Sequence, residues 1–151
     1  MLLLFLDGLD MKIRFYEFNE IDESSITFAV IISQYKGKWV WVKNKMRNAW
    51  EVPGGRREGK ESILKTAKRE LYEETGAIKF DIAPVCIYSV KKDIETFGML
   101  YYAKIIELGA LPESEIEDIG FFDVIPDKLL FPLIQPILKN RVKDFLQMRE
   151  H

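Results

Sequence analysis

The chain has 151 residues, of which 48% are hydrophobic, 13% aromatic and 30% charged. This composition is typical of a folded globular domain and excludes a disordered or low-complexity chain. The formal charge is −2, from 22 basic and 24 acidic residues. Since the chain as a whole has no attraction for polyanions, we expect neither a nucleic acid duplex nor a membrane as a partner.

Histidine and cysteine are too rare to support several kinds of chemistry. The one histidine is His151 and the one cysteine is Cys86. Catalysis that pairs histidine with serine or cysteine is therefore excluded, as are histidine-based metal sites. A single cysteine forms no internal disulfide, which suits a reducing compartment and predicts a cytoplasmic location. Carboxylates are left as the groups that carry the chemistry.

The amino terminus starts with a short apolar run that ends at Asp7. The run has no preceding basic residue and is too short for a secretory signal or a membrane span. Met11 opens a second stretch that resembles a translation start. We expect one domain over residues 1–151, with residues 1–10 forming either an added edge strand or a mobile extension.

Apolar runs alternate with turn signals along the rest of the chain. The predicted strands cover residues 26–33, 39–42, 82–90, 97–106 and 120–125. The first two are joined as a hairpin by the turn residues 35–38. The predicted helices cover residues 61–75, ended by Gly76, and residues 131–148, with Pro136 in the first turns. Strands interleaved with two helices predict a mixed α/β domain.

Three carboxylates share one edge of the first predicted helix. At about 100° per residue, Glu70, Glu73 and Glu74 fall within an arc of roughly 100°, next to the apolar face. Like charges at this spacing repel each other, and two of them lie near the negative end of the helix dipole. Converging carboxylate oxygens are the ligands that Mg²⁺ or Mn²⁺ requires. The structural alternative is a solvated run of charge.

The spacing around these carboxylates decides between the two interpretations, because it resembles the Nudix box. The matching residues are Gly55, Glu61, Arg69, Glu70, Leu71, Glu73, Glu74, Gly76 and Ala77. Ala77 is smaller than the aliphatic residue usual in the family, which affects packing rather than chemistry. The preceding segment, residues 50–55 (WEVPGG), resembles the one that introduces the box in MutT-like members.

The resemblance implies a Nudix-type α/β/α sandwich, with a mixed β-sheet, a catalytic loop–helix–loop and a C-terminal helix. It also implies the catalytic residues Arg69, Glu70, Glu73 and Glu74, and the metal ligands Glu70, Glu73, Glu74 and the carbonyl of Gly54 or Gly55. The metal would be Mg²⁺ or Mn²⁺. Glu70 is also the candidate general base, and Arg69 would hold the carboxylates in place. Glycine suits close approach of the backbone to metal and phosphate.

Charged residues near the box are candidates for further roles. Arg56, Lys43 and Arg47 are candidate phosphate contacts, with solvated surface side chains as the structural alternative. Glu61 falls on the opposite side of the ideal helical wheel from the acidic cluster. A charge that complements the helix dipole is therefore as reasonable a role for Glu61 as a metal contact.

The substrate is less well specified by the sequence. The short chain and the WEVPGG segment favour MutT-like hydrolysis of nucleoside triphosphates, including 8-oxo-dGTP, to a monophosphate and pyrophosphate. The alternatives are ADP-ribose, a dinucleoside polyphosphate, a capped RNA end, or a non-catalytic nucleotide-binding module. Candidate base-reading residues are Asn44, Asn48 and Glu115, and the aromatics that could stack on a base are Trp39, Trp41, Phe97, Tyr101 and Tyr102, although core packing is more usual for them. The protein is expected to be a monomer or a homodimer.

Overall fold

The computed structural model describes residues 2–6 and 9–150. The strands are β1 (Leu2–Leu6), β2 (Leu9–Tyr16), β3 (Ile26–Tyr35), β4 (Lys38–Asn44), β5 (Ala49–Glu51), β6 (Gly54–Arg56), β7 (Ala77–Lys91), β8 (Glu95–Leu108) and β9 (Ile116–Phe122). The α-helices are α1 (Ile63–Thr75) and α2 (Gln135–Arg149), and a 3₁₀ turn spans Glu23–Ser25. Neither α-helix is long and apolar enough to cross a membrane.

The nine strands form one mixed sheet. Its main path runs β1-β2-β7-β8-β3-β4-β5, with β6 also paired to β3 and β9 also paired to β4. The β3–β8 pair is parallel, and the other pairs are antiparallel. Within the predicted extension, residues 2–6 pair with β2 at the edge of the sheet. Residues 1, 7 and 8 of that extension lie outside the described residues.

The sheet has one helix packed on each face. Because side chains alternate along a strand, Ile31 of β3 joins the core under α1, and its neighbour Ile32 joins the core under α2. Leu71 is fully buried in the first core, and Leu138 is fully buried in the second. The predicted α/β/α sandwich with a mixed sheet is therefore confirmed.

The predicted elements are all present, with different bounds. The helix predicted over residues 61–75 begins at Ile63, because the Ser62 hydroxyl accepts a hydrogen bond from the Lys65 amide and caps it. The helix predicted over residues 131–148 begins at Gln135, with Pro136 in its first turn. β9 lies at Ile116–Phe122 rather than at residues 120–125, because its pairing with β4 begins opposite Asn44.

Gly76 ends α1 in the left-handed conformation, with φ of +78°. Its Cβ position lies 2.7 Å from the Ala110 carbonyl oxygen, so a side chain would meet fixed backbone. Gly37 has nearly the same φ, +80°, but no atom lies within 4 Å of its Cβ position. The two glycines therefore separate the cost of backbone conformation from the cost of crowding.

Gly76→Ala is expected to lower the free energy of unfolding by more than Gly37→Ala does. The left-handed conformation costs alanine roughly 1–2 kcal/mol at either site, and crowding adds to that cost only at Gly76. Urea denaturation of the two variants and the wild type measures the difference. Equal losses in both variants would contradict the role given to the Ala110 carbonyl.

Candidate active site

Helix α1 carries carboxylates in two different environments. Ala67 and Leu71 anchor the helix in the core, which brings Glu70 and Glu74, one turn apart, under the protein surface. Glu70 is 9% exposed and Glu74 is 3% exposed. The Glu73 side chain is 45% exposed. The helix thus supplies two buried acids and a more exposed one at its edge.

The short strand β6 lies against the two buried acids. Pairing with β3 sets Gly54 opposite Val30 and Gly55 opposite Ala29. The Gly54 amide donates a hydrogen bond of 3.0 Å to Oε1 of Glu74. A Cβ atom at Gly55 would overlap the carboxylate of Glu70. A side chain at residue 55 would therefore displace the Glu70 carboxylate from its position against the strand.

Arg69 links acidic residues of α1 to an acidic residue in the loop that precedes the helix. Its Nη1 lies 2.7 Å from Oε1 of Glu70 and 3.4 Å from Oε2 of Glu73. Its Nη2 lies 2.7 Å from Oε1 of Glu61 and donates to the Arg56 carbonyl at 3.0 Å. The fork shape of a guanidinium allows these contacts to be made together. One side chain thus fixes the loop, the helix and a buried acid relative to each other.

The sequence-based placement of Glu61 is wrong. The helical wheel set it apart from the acidic cluster, but Glu61 precedes the first residue of α1, so helical geometry does not apply to it. Its carboxylate accepts hydrogen bonds from Arg69 and from the Thr66 hydroxyl. The bond from Arg69, followed by one from the Glu58 amide and then the one from Thr66, lowers the pKa of Glu61 to about 2. Glu61 is therefore connected to the acidic residues of α1 through Arg69.

Burial and mutual repulsion raise the pKa values of the acidic residues around β6. Burial is the largest cause at each one and raises the pKa of Glu74 to about 9, that of Glu51 to about 7, and that of Glu70 above its ordinary value. The charge of Glu115 adds to the shift at all three. The sequence predicted no role for Glu51. Its position inside the WEVPGG segment was the feature that could have indicated one.

The donor set suits a hard divalent cation. Glu70 and Glu74 supply buried carboxylate oxygens, and the backbone of Gly55 lies close to the Glu70 carboxylate. Within residues 2–6 and 9–150, no three acidic, histidine or cysteine side chains are yet arranged closely enough to hold an ion. Arg69 occupies Oε1 of Glu70, which leaves Oε2 available, and a carboxylate accepts several bonds.

The candidate phosphate contacts are separated by the fold. Arg56 lines a cavity of about 440 Å³ together with Glu51, Gly54 and Gly55. Lys43 instead lies on β4, 4.0 Å from Glu117 and above the ring of Trp50. Arg47 lies in the turn after β4. Its positive charge lowers the pKa of Glu51 and so partly offsets the effect of burial. Of these basic residues, the structure brings Arg56 to the cavity.

The aromatics and amides considered for base recognition lie elsewhere. Trp41, Tyr101 and Tyr102 are buried, and Trp39 and Phe97 pack partly buried against the two cores. Asn44 accepts hydrogen bonds within its own turn. The residues that line the cavity are instead Phe28, Phe131 and Gln135, besides those around β6. Nothing in the sequence around Gln135, at the start of α2, predicted that it would line the cavity.

A family model described as the NUDIX domain matches residues 24–125. Because the match covers more than half of the chain, the chain belongs to the Nudix family. Curated mouse and human proteins, each named nucleoside diphosphate-linked moiety X motif 6, are 53% identical over 34 residues, or 22% of this chain. The match spans about a tenth, 11%, of the length of those relatives.

Solved structures share the fold at low sequence identity. The Bacillus subtilis pyrophosphohydrolase BsRppH superposes with a TM-score of 0.78 and 22% identity, covering 95% of this chain and 97% of that one. A UDP-X diphosphatase gives 0.70 and 18%, covering 87% and 67%. A MutT Nudix hydrolase from Burkholderia pseudomallei gives 0.55 and 18%, covering 76% and 95%.

The raised pKa of Glu74 predicts how the stability of the metal-free protein depends on pH. The unfolded chain releases this proton near the ordinary value of 4.5, whereas the folded chain holds it until about 9. Stability from this group is therefore present below pH 4.5 and is lost as the pH rises to about 9. Relative to Glu74→Gln, the wild type should lose at most about 1.4 kcal/mol per pH unit over that range.

Urea denaturation in the presence of a chelator, at a series of pH values, measures this difference. Glu107→Gln is the matched control, because Glu107 is exposed on β8, and its stability should follow the wild type at every pH. A constant difference between wild type and Glu74→Gln across the range would show that Glu74 does not titrate in this way.

Proposed function

We propose that this Nudix hydrolase is a Mg²⁺-dependent nucleoside triphosphate pyrophosphohydrolase, which releases a nucleoside monophosphate and pyrophosphate. The observation that carries the proposal is the buried carboxylate of Glu70, held by Arg69 at Oε1 and seated against Gly55 at the cavity. Family membership supports the coarser activity, which is hydrolysis of a nucleoside diphosphate derivative.

In the proposed reaction, Glu70 is the general base. Because Arg69 engages Oε1, Oε2 is the atom left to accept a proton from the attacking water. The water oxygen forms a bond to phosphorus, and the phosphoanhydride bond to the leaving pyrophosphate breaks. Burial raises the pKa of Glu70, which makes it a stronger base than an exposed glutamate.

The cation would be held by Glu70, Glu73 and Glu74 with a backbone carbonyl of Gly54 or Gly55. When bound, it supplies Lewis-acid activation of water and neutralises charge on the phosphate oxygens. Arg69 keeps the carboxylates in position, and Arg56, at the cavity, is the basic side chain placed to meet phosphate oxygens. These contacts offset the overall charge of −2 for an anionic substrate.

The substrate is to be decided by product analysis. Solved neighbours include a UDP-X diphosphatase, the Nudix domain of Shewanella oneidensis NrtR in complex with ADP-ribose, and an ADP-ribose pyrophosphatase. A panel of dGTP, 8-oxo-dGTP, ADP-ribose and diadenosine tetraphosphate with Mg²⁺ tests the proposal. Pyrophosphate released from the triphosphates supports it, and monophosphates released only from the linked compounds would replace it with the broader diphosphatase assignment.

Glu70→Gln and Glu74→Gln are each expected to lower kcat by about 10²-fold or more, because one loses the proposed base and the other a buried ligand. Glu107→Gln should retain wild-type kcat, since its side chain is exposed on β8. Initial rates of pyrophosphate release measure the effect, with circular dichroism to verify folding. Wild-type rates in both active-site variants would refute the mechanism.

Activity is expected to rise towards alkaline pH, because Glu70 and Glu74 must lose their protons to act. Metal ion and proton compete for the same carboxylates, so the midpoint of the rise should shift to lower pH as the Mg²⁺ concentration increases. Rates over a grid of pH and Mg²⁺ concentration test this. A neutral optimum that disappears when His151 is deleted would contradict it.

A further inference from the structure

Another cavity, of about 390 Å³, lies between the carboxyl-terminal half of α2 and the sheet. We call this space the α2 cavity. Strand β7 lines it with Val85 and Cys86, and Glu17 lines it from just beyond the end of β2. It shares no lining residue with the cavity beside β6, and its volume is in the usual range of small-molecule sites. Four side chains from one face of the helix complete it: Arg141, Asp144, Phe145 and Met148.

A β-bulge shapes the sheet side of the α2 cavity. In the pairing of β7 with β8, Pro84 lies opposite Tyr101 and Cys86 lies opposite Leu100, which leaves Val85 as the extra residue. Successive residues of a regular strand face opposite sides of the sheet, but Val85 and Cys86 both face the α2 core. The bulge therefore places two neighbouring side chains in the wall of one cavity.

The α2 cavity collects charges of both signs that do not pair with each other. Arg141 and Asp144 lie one turn apart on α2, and Glu17 lines the same space. Within the part of the chain that the structure describes, none of the three takes part in an ion pair. Separate charges of opposite sign in one cavity complement a ligand that itself carries both charges.

Arg141 is held in place by neighbours that leave its charge available. Its guanidinium carbon lies 4.4 Å from the ring centre of Phe15. Cys86 lines the cavity beside it and is 5% exposed. Burial raises the pKa of the Cys86 thiol to about 11, and Arg141 counteracts only part of this rise. Because the thiol is therefore protonated at neutral pH, it does not neutralise the guanidinium.

We propose that the α2 cavity binds a free α-amino acid with an apolar side chain. Arg141 pairs with the ligand carboxylate, and Asp144 and Glu17 receive its ammonium group. The ligand side chain packs against Phe145 and Met148.

The charges of the α2 cavity favour a zwitterion over ligands of a single charge. A carboxylic acid without the amino group meets two like charges, from Glu17 and Asp144. An amine without the carboxylate leaves Arg141 unpaired. Each end of a peptide carries one of the two charges rather than both. A free amino acid satisfies all three charged side chains together.

The first test is calorimetric titration of the wild-type protein with L-leucine, L-methionine and L-phenylalanine. Saturable binding of at least one of them, with one ligand per chain, is the expected result. The amine and the carboxylic acid that carry the same side chain as the tightest binder are then titrated. Each should bind at least tenfold more weakly than the amino acid, since each lacks one charge-assisted contact. Binding of none of the three amino acids, or an analogue that binds as tightly, would overturn the proposal.

The second test assigns each charge of the ligand to a side chain. Arg141→Gln is expected to lower the affinity for the amino acid at least tenfold and to leave that for the amine unchanged or higher. Asp144→Asn should weaken the amino acid and the amine alike, without weakening the carboxylic acid. A folded Arg141→Gln variant that loses both the amino acid and the amine in equal measure would contradict the assignment.

Lys143→Gln is the matched control, because Lys143 is exposed on the same helix and does not line the α2 cavity. It should bind the amino acid as the wild type does. Circular dichroism verifies folding of each variant. If Arg141→Gln does not fold, Asp144→Asn decides, since Asp144 is exposed and forms no ion pair in the described part of the chain.

This proposal is independent of the proposed function, because the two cavities share no lining residue. Glu70→Gln should therefore bind the amino acid with wild-type affinity. Amino acid binding by a protein that hydrolyses no nucleotide would support the α2 cavity and reject the hydrolase proposal. Nucleotide hydrolysis without amino acid binding would do the reverse.

Discussion

The packing of α1 against β6 is the constraint on which the rest of the site depends. Two glycines allow the strand to approach the helix so closely that one amide bonds Glu74 and the other residue lies against the carboxylate of Glu70. Burying acids in this way is unfavourable without compensation, because a carboxylate loses its hydration when it is covered. The arrangement therefore costs stability in the metal-free state, and under the proposed function a bound cation would offset that cost.

Arg69 provides the compensation that the protein itself supplies. It contacts Glu70, Glu61 and Glu73, and its side chain is 20% exposed, so these ion pairs are screened less than pairs at the surface. Within the described part of the chain, Glu74 forms no ion pair and relies on the Gly54 amide. The two buried acids are thus stabilised unequally, one by charge and the other by a neutral donor.

The sequence predicted the parts of the molecule that follow from local periodicity and spacing. The strands around β3 and both helices were identifiable because their apolar residues repeat at the intervals that each element requires. The acidic edge of α1 followed from helical geometry alone. Helix bounds were less accurate, because a single Ser62 hydroxyl decided where α1 began, and Glu61 was misplaced for the same reason.

Features that depend on long-range pairing could not be predicted in the same way. Nothing in the sequence near Gln135 indicates that its amide meets Val52, which is far away along the chain. The proximity of Glu115 to the box acids likewise depends on β9 pairing with β4, which brings the start of β9 beside Asn44. These contacts are products of sheet topology, and hydrophobic patterning in one segment carries no information about its partner.

The register of β3 has a consequence for substrate length. Phe28, Ala29 and Val30 are paired in order with Arg56, Gly55 and Gly54, so the strand that lines the cavity also positions the candidate metal-binding backbone. Parallel pairing with β8 holds the same three residues from the other side. The spacing between the cavity wall and the backbone beside Glu70 is therefore set by strand geometry, at roughly 3.3 Å per residue. Under the proposed mechanism, a substrate with a longer or shorter linker between its ring and its phosphates would place the wrong bond at Glu70.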